Sequence, residues 1–300
     1  MEKVQVLLST YNGEKYVESQ IISILGQENV DVSILIRDDG SKDTTLDIIK
    51  KLAEQNDNIS FYQGDNIGAA RSFMDLINKS KEVDYYAFSD QDDIWDKEKL
   101  ISAIDMLNDK KDEASLYISA LDVVDENLNL IEHKKVNGNF CFEGQMIKNF
   151  STGCTQVLNK KMCDVIKSYN PDYIIMHDSW ITRVCYAIGG NVIIDDNSYI
   201  KYRQHSDNVL GYEDTGLQKL KRQYKIAFKN NERMRVNIAK EIKKGYYEII
   251  TKEAKEVVDN LISYPEDKKA KRWLLHNKNF RTNDRMINIK MKLAIKLNKF

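Results

Sequence analysis

Asp90, Asp92 and Asp93 lie within the segment Ser89-Asp90-Gln91-Asp92-Asp93. Carboxylates this crowded repel one another, and water alone gives no reason to gather them. The segment directly follows Tyr85-Tyr86-Ala87-Phe88, an apolar run that reads as a buried strand. A divalent cation does give a reason, because a hard metal takes oxygen ligands and offsets the crowded negative charge. In an open α/β sheet, the C-terminal end of a strand is where ligands bind. The plainer reading is an acidic loop that caps the next helix, with Asp93 or Asp96 as N-cap before Lys97-Glu98-Lys99-Leu100.

Three earlier loops carry recognition chemistry. In Ser9-Thr10-Tyr11-Asn12-Gly13 the tyrosine offers a flat face on which a base can stack, although Asn12-Gly13 also suits a turn and helix cap. In Arg37-Asp38-Asp39-Gly40-Ser41 a carboxylate can accept the N3–H of uracil or thymine, while Asp-Gly-Ser before a helix is also a common turn. In Asp65-Asn66-Ile67-Gly68-Ala69-Ala70-Arg71 small residues permit close backbone approach, and Arg71 either binds ribose or diphosphate or is simply solvated. Neither G-x-G-x-x-G nor G-x-x-x-x-G-K-[ST] occurs, which argues against dinucleotide and P-loop sites.

These loops need elements to hold them. Apolar runs at Val4–Leu8, Ser33–Ile36 and Ile59–Tyr62 predict strands. Helical patterns follow through Val17, Ile21, Ile22 and Leu25, then Leu46, Ile49 and Leu52, then Gly68 to Lys79. This βαβαβα order predicts an α/β fold with a parallel sheet covered on both faces. Beyond Leu107 the pattern loosens: strands are expected at Leu116–Asp122 and Thr155–Leu158, and helices at Lys160–Tyr169 and Asp178–Ala187. Asn191–Ile194 and Ser198–Tyr202 read as two short closing strands. From about Asp214 the chain reads as helical and basic, so residues 1–211 are expected to form one domain and 212–300 a helical appendage, divided near Gly211.

The net charge of −1 conceals an asymmetry, with a surplus of acidic side chains in residues 1–200 and of basic ones in 201–300. Cys141, Cys154, Cys163 and Cys185 show no paired C-x-x-C spacing, so a zinc site is not expected. No apolar signal region opens the chain and no run is long enough to span a bilayer, so a cytoplasmic protein with reduced thiols is expected.

Three polar strand ends followed by the acidic cluster resemble the family 2 GT-A inverting glycosyltransferases, over residues 3 to about 210. The resemblance implies the GT-A fold, a mostly parallel sheet flanked by helices, with a helical C-terminal extension. It also implies a nucleotide-sugar donor and Mn²⁺ or Mg²⁺. Tyr11 would stack on the base and Asp39 would bind its N3–H, with Thr10, Asn12, Asp38 and Arg71 around the nucleoside. Asp90-Gln91-Asp92 would be the D-x-D motif, with Asp92 as the most direct metal ligand. Gly153-Cys154-Thr155 matches the small-residue turn beneath the acceptor, and Asp93, Trp95, His177 and Trp180 would line the acceptor side. Asp178, in His177-Asp178-Ser179-Trp180, would be the general base, and its plainer role is a helix N-cap. Trp180 would offer a sugar platform or else belong to the core. His205, in Tyr202-Arg203-Gln204-His205, would help hold the metal or diphosphate.

The wording Ser-Asp-Gln-Asp-Asp-Ile-Trp, with Tyr-Arg-Gln-His later, most resembles bacterial rhamnosyltransferases of surface polysaccharides. That implies dTDP-β-L-rhamnose as donor and a lipid-linked glycan as acceptor. A UDP-hexose or UDP-N-acetylhexosamine enzyme of the same fold, and a non-catalytic nucleotide-sugar-binding scaffold, are the competing readings. The processive signature Q-x-x-R-W is absent, which argues for single addition. The basic amphipathic segments Leu217–Arg222 and Met286–Lys296 suit the anionic inner face of a membrane, or else pack on the catalytic domain or pair two subunits as a homodimer. Nucleic acid is not an expected partner, because the D-x-D side is acidic and no nucleic-acid module is present.

Overall fold

A computed structural model describes residues 1–204 and 233–300 of the chain. The first half alternates as expected: β1 (Lys3–Thr10), α1 (Val17–Leu25), β2 (Asp31–Asp38), α2 (Thr45–Gln55), β3 (Ile59–Gln63), α3 (Ala69–Lys79) and β4 (Tyr85–Ser89). A two-residue strand β5 (Ile94–Trp95) and α4 (Lys99–Asn108) follow. The N-cap of α4 is Glu98, so neither Asp93 nor Asp96 takes that place. Next come β6 (Ser115–Val124), β7 (Leu130–Lys134), α5 (Phe142–Ile147), a 3-10 turn at Gly153–Thr155, β8 (Gln156–Asn159), α6 (Lys160–Lys167), α7 (His177–Ala187) and β9 (Asn191–Arg203). Four helices close the chain: α8 (Met234–Tyr246), α9 (Lys252–Ser263), α10 (Lys268–His276) and α11 (Arg285–Lys296).

The strands form one sheet in the order β3-β2-β1-β4-β8-β6-β9-β5, with β7 paired to β6. β1 lies between β2 and β4, parallel to both. The registers Thr10↔Asp38, Asp38↔Gln63 and Leu8↔Ser89 bring four strand ends to one edge, so the four recognition loops meet there. β8 then runs antiparallel to β4 and β6, and β9 parallel to β6. The two closing strands expected from the sequence are one strand whose register shifts between Ser119 and Ala120 of its partner. A bulge of this kind interrupts the alternation without ending the pairing. β5 pairs antiparallel with the far end of β9, Ile94 opposite Lys201, and so draws the acidic loop against Tyr202 and Arg203.

Parallel strands covered on both faces need apolar residues on both, and β1 supplies Val4, Val6, Leu7 and Leu8, all fully buried. One apolar cluster on the α3 side of the sheet runs from Leu7 and Phe88 through Trp180 to Tyr246, Leu261, Leu274 and Ile295. The described C-terminal helices therefore share a core with the sheet. Each of these side chains contributes roughly 1.5–3 kcal/mol through burial, so the helices are firmly held. The boundary near Gly211, the Leu217–Arg222 segment and His205 lie outside the described residues. Among the described residues no helix is long and apolar enough to cross a membrane.

Candidate active site

A cleft of about 1730 Å³ opens over the joined strand ends. Thr10, Tyr11, Asn12, Asp39, Asp90, Gln91, Asp92, Gly153, His177 and Asp178 all line it. Residues from five separate stretches of sequence thus meet in one cavity.

At the β1 end, Tyr11 is 44% exposed and lines the cleft. Its main chain is clamped by Gln91: the Tyr11 N–H donates to Gln91 Oε1 at 2.8 Å, and Gln91 Nε2 donates to the Tyr11 carbonyl at 3.1 Å. A Cβ on Gly13 would lie 2.3 Å from Gln91 Oε1, so the clamp requires glycine there. Asn12 takes a positive φ of 48° and accepts the Lys42 N–H on Oδ1. Asp39 is ion-paired to Arg37, and its Oδ2 accepts the N–H groups of Ile67 and Gly68 at 3.1 and 3.0 Å. Oδ2 is thereby saturated, and Oδ1 keeps one lone pair for a further donor.

Asp38 does not line the cleft. Its carboxylate accepts from Thr10 Oγ1, the Ser41 backbone and Gln63 Nε2 and so ties the strand ends together. Arg71 is also outside the cleft, with Nη2 donating to the Asp172 carbonyl at 2.8 Å. The Asp38 side chain is thus engaged within the loop and Arg71 with Asp172, so neither is brought to the cleft with the other candidate residues.

In the acidic loop, Asp90 and Asp92 stand half-buried in the cleft, and Asp93 turns inward with no exposure. Loss of water and the charges of Asp92 and Asp178 raise the Asp90 carboxyl. Burial first, then Asp92 and Asp90, push the Asp93 carboxyl well above its usual range. Asp93 accepts the Arg203 N–H at 3.3 Å, and Arg203 Nε donates to the Asp92 carbonyl at 2.9 Å, so the end of β9 secures the loop. Ligand atoms of Asp90, Asp93 and Cys154 lie within 4.8 Å of one another. Burial raises the Cys154 thiol well above its usual value, so it stays protonated beside Asp93. Lys99 lies near both, fully buried, its ammonium 4.6 Å from the Trp95 ring, and burial lowers it to about 8. Asp90 and Asp92 are the cleft-facing carboxylates of this loop, and a hard divalent ion is what such mutually repelling oxygen donors fit.

Asp93 and Cys154 therefore lie beneath the cleft floor, and Trp95 is a core residue, 3% exposed. Trp180 is likewise buried, 6.0 Å from the Tyr246 ring, and offers no platform to a sugar. Ten of the eleven residues of α7 are buried, so this helix has little solvent face on which a large ring could lie.

Asp178 sits in the first turn of α7, whose N-cap is Met176. Its Oδ1 accepts the Ser179 N–H at 2.6 Å, and its Oδ2 accepts from Asn149 Nδ2 at 3.0 Å. Burial raises this carboxyl to about 6, against the opposing pull of those donors and of Arg183. The helix N-terminus also favours its ionised form. Next to it, His177 stacks on Phe73 at 3.9 Å, and burial holds it neutral, near 3. No hydrogen-bond partner for either ring nitrogen is present among the described residues. A Cβ on Gly153 would come within 2.5 Å of His177 Nε2. The ring cannot retreat through Phe73, so Gly153→Ala is expected to cost about 1–3 kcal/mol through overpacking. Thermal unfolding of the variant measures this; an unchanged Tm would show that the His177 ring is free to shift.

Asn149, Tyr202 and Arg203 are site residues that sequence reasoning missed or left without a role. Asn149 stands in no motif, and nothing in its neighbours announces it. Tyr202 and Arg203 belong to a segment noticed for His205, and only the β5–β9 pairing shows that they face the acidic loop.

Residues 5–170 match the model of the family described as Glycosyl transferase family 2. The chain is 32% identical over 222 residues to the dTDP-rhamnosyl transferase RfbG of Shigella flexneri, covering 68% of this chain and 73% of that protein. It is 32% identical over 138 residues to an uncharacterized glycosyltransferase, alr2836, of Nostoc sp., covering 45% and 42% of the two chains. A crystal structure of S. aureus TarS 1–349 in complex with UDP-GlcNAc superposes with a TM-score of 0.61 at 16% identity, covering 99% of this chain and 82% of that one. This similarity shows a shared fold.

Proposed function

The chain belongs to glycosyl transferase family 2, and on that premise we propose a metal-dependent inverting transferase that adds one L-rhamnose from dTDP-β-L-rhamnose to a lipid-linked surface-polysaccharide intermediate. Transfer of a sugar follows from the family and its fold. The rhamnosyl donor is supported by the likeness to a dTDP-rhamnosyl transferase. The lipid-linked acceptor and a peripheral place at the inner face of the cell membrane are proposed with it, from the sequence wording and the basic C-terminal segments.

One observation carries the mechanism. A buried carboxylate, Asp178, and the half-buried acidic pair Asp90 and Asp92 line one cleft, and Asp178 is close enough to raise the Asp90 carboxyl. A single-displacement transfer needs these two features: a base for the acceptor hydroxyl and a place for the leaving diphosphate. Asp178 takes the acceptor proton while that oxygen attacks C1. The new C1–O bond forms as the bond to the diphosphate breaks, and the nucleoside diphosphate leaves. Attack opposite the leaving group inverts C1. Asn149 and the Ser179 N–H hold the Asp178 carboxylate in place at the cleft wall. Asp90 and Asp92 would hold Mn²⁺ or Mg²⁺, and the bound cation supplies charge that stabilises the leaving diphosphate. Tyr11 supports the base, and Asp39 Oδ1 accepts its N3–H.

Calorimetric titration with dTDP-L-rhamnose and a panel of UDP-sugars, in Mn²⁺ and in EDTA, tests this reading. Metal-dependent binding of dTDP-L-rhamnose is the expected result. Preference for a UDP-hexose or UDP-N-acetylhexosamine would replace the donor and keep the mechanism. Binding of no nucleotide sugar by the folded protein would favour a scaffold.

A further inference from the structure

α11 is apolar on two opposite faces. One face supplies Met291 and Ile295, 3% and 0% exposed, to the shared core. The other carries Met286, Ile289 and Leu293, continuing to Leu297 at the C-cap, and these are 59%, 51%, 56% and 58% exposed. At 100° per residue these four side chains fall within one narrow stripe. Lys290 borders the stripe on one side, and Arg285, Lys292 and Lys296 border it on the other. All four basic residues are exposed, and the helix contains no acidic residue. Water gives no reason to align four large apolar side chains on an otherwise charged surface.

The start of the helix also adjoins the cleft. Asn283, Asp284 and Ile287, at the start of α11, line its wall. Asn139 ties this corner to the loop of Phe140, itself 50% exposed: its Nδ2 donates to the Arg281 carbonyl at 2.6 Å and its Oδ1 accepts the Asn283 N–H at 3.0 Å.

We propose that α11 docks the protein on an anionic lipid bilayer. The Met286–Leu297 stripe lies among the head groups and upper acyl chains, and the flanking Arg285, Lys290, Lys292 and Lys296 meet the lipid phosphates. A lysine-bordered apolar stripe with no acidic residue is the charge complement of such a surface, whereas a second copy of α11 would bring like charges together. This deepens the lipid-linked acceptor reading on which it rests, because the corner of the cleft next to α11 then faces the membrane where that acceptor is held.

The experiment is co-sedimentation of the full chain with vesicles of phosphatidylglycerol and phosphatidylcholine, and with phosphatidylcholine alone. The mixed vesicles are expected to bind, with much weaker binding to the neutral ones. Lys290→Gln with Lys292→Gln should weaken binding roughly 30-fold, from ~1 kcal/mol per lysine near an anionic surface. Ile289→Ser with Leu293→Ser should also reduce binding strongly and leave thermal unfolding unchanged, since both side chains are exposed. Equal binding by either pair of variants would overturn the proposal. So would a dimer in sedimentation that the serine variants dissociate, without vesicle binding by the parent chain. Transfer to a detergent-dispersed acceptor is measured in parallel. Failure of the parent chain to bind either vesicle while it still transfers sugar removes the docking role, and absent transfer with vesicle binding intact removes the enzymatic reading.

Discussion

Asp178→Asn is expected to lower sugar transfer about 10³-fold, the usual contribution of a positioned general base, while donor affinity stays near that of the parent. The asparagine keeps the size and one acceptor oxygen, enough for the Ser179 N–H, and sets its NH₂ against Asn149 in place of the second oxygen. It cannot accept a proton. Two companion measurements separate this loss from structural damage. First, the parent enzyme's rate should rise with pH through about 6, where the carboxyl ionises, and a bound cation should move that rise lower. Second, stability should change in the opposite sense. A carboxyl raised by burial from 3.8 to about 6 contributes stability that is present below the unfolded value and lost as pH rises through the folded one. The variant has no such ionisation, so its Tm should exceed the parent's at pH 7.5, and the gap should close toward pH 4. A donor-binding variant that still transfers at the parental rate would exclude Asp178 as the base.

Asp92→Ala is expected to weaken donor binding about 100-fold in Mn²⁺, as loss of a metal-site residue does, and to leave binding in EDTA unchanged. The two conditions must diverge, because a purely structural defect would lower both. Removal of Asp92 also removes one of the charges that raise Asp90, so the remaining carboxyl should ionise at lower pH. Calorimetry at several pH values reads both effects. Equal Mn²⁺-dependent affinity in parent and variant would take Asp92 out of the metal site.

How far the sequence reached depends on the kind of signal each residue gave. β1, β2 and β4 are buried on both faces and read as uninterrupted apolar runs, so their places were plain. β7 is exposed at all five positions, and β5 has only two residues; neither leaves a pattern. The sequence of β9 reads as two strands because its bulge carries Asp196 and Asn197 after Asp195, which look like a turn until the partner strand is seen. The cleft-lining carboxylates are legible because Asp90, Asp92 and Asp178 are polar where a strand end or helix start places them at the cleft. Side-chain direction was not legible. Trp95 and Trp180 lie beside cleft residues in sequence and point the other way, into the core. Asp38 adjoins Asp39 and serves the loop, because successive residues at a strand end face opposite sides. The charge of the C-terminal helices marks them as an appendage, and of the readings open to it their buried faces fit packing on the catalytic domain, in the core that begins at Leu7.

The Gln91 clamp joins two functions that a designer would want to adjust separately. One amide holds the main chain of the Tyr11 loop, proposed above to stack on the base, and its own backbone is the middle of the acidic segment. A loop exchange meant to admit a different nucleobase would therefore drag Asp90 and Asp92 with it unless Gln91 and Gly13 travel as a pair. Grafts that carry residues 9–13 together with 89–93 should retain activity where either segment alone loses it, so the two stretches form a single transplantable module.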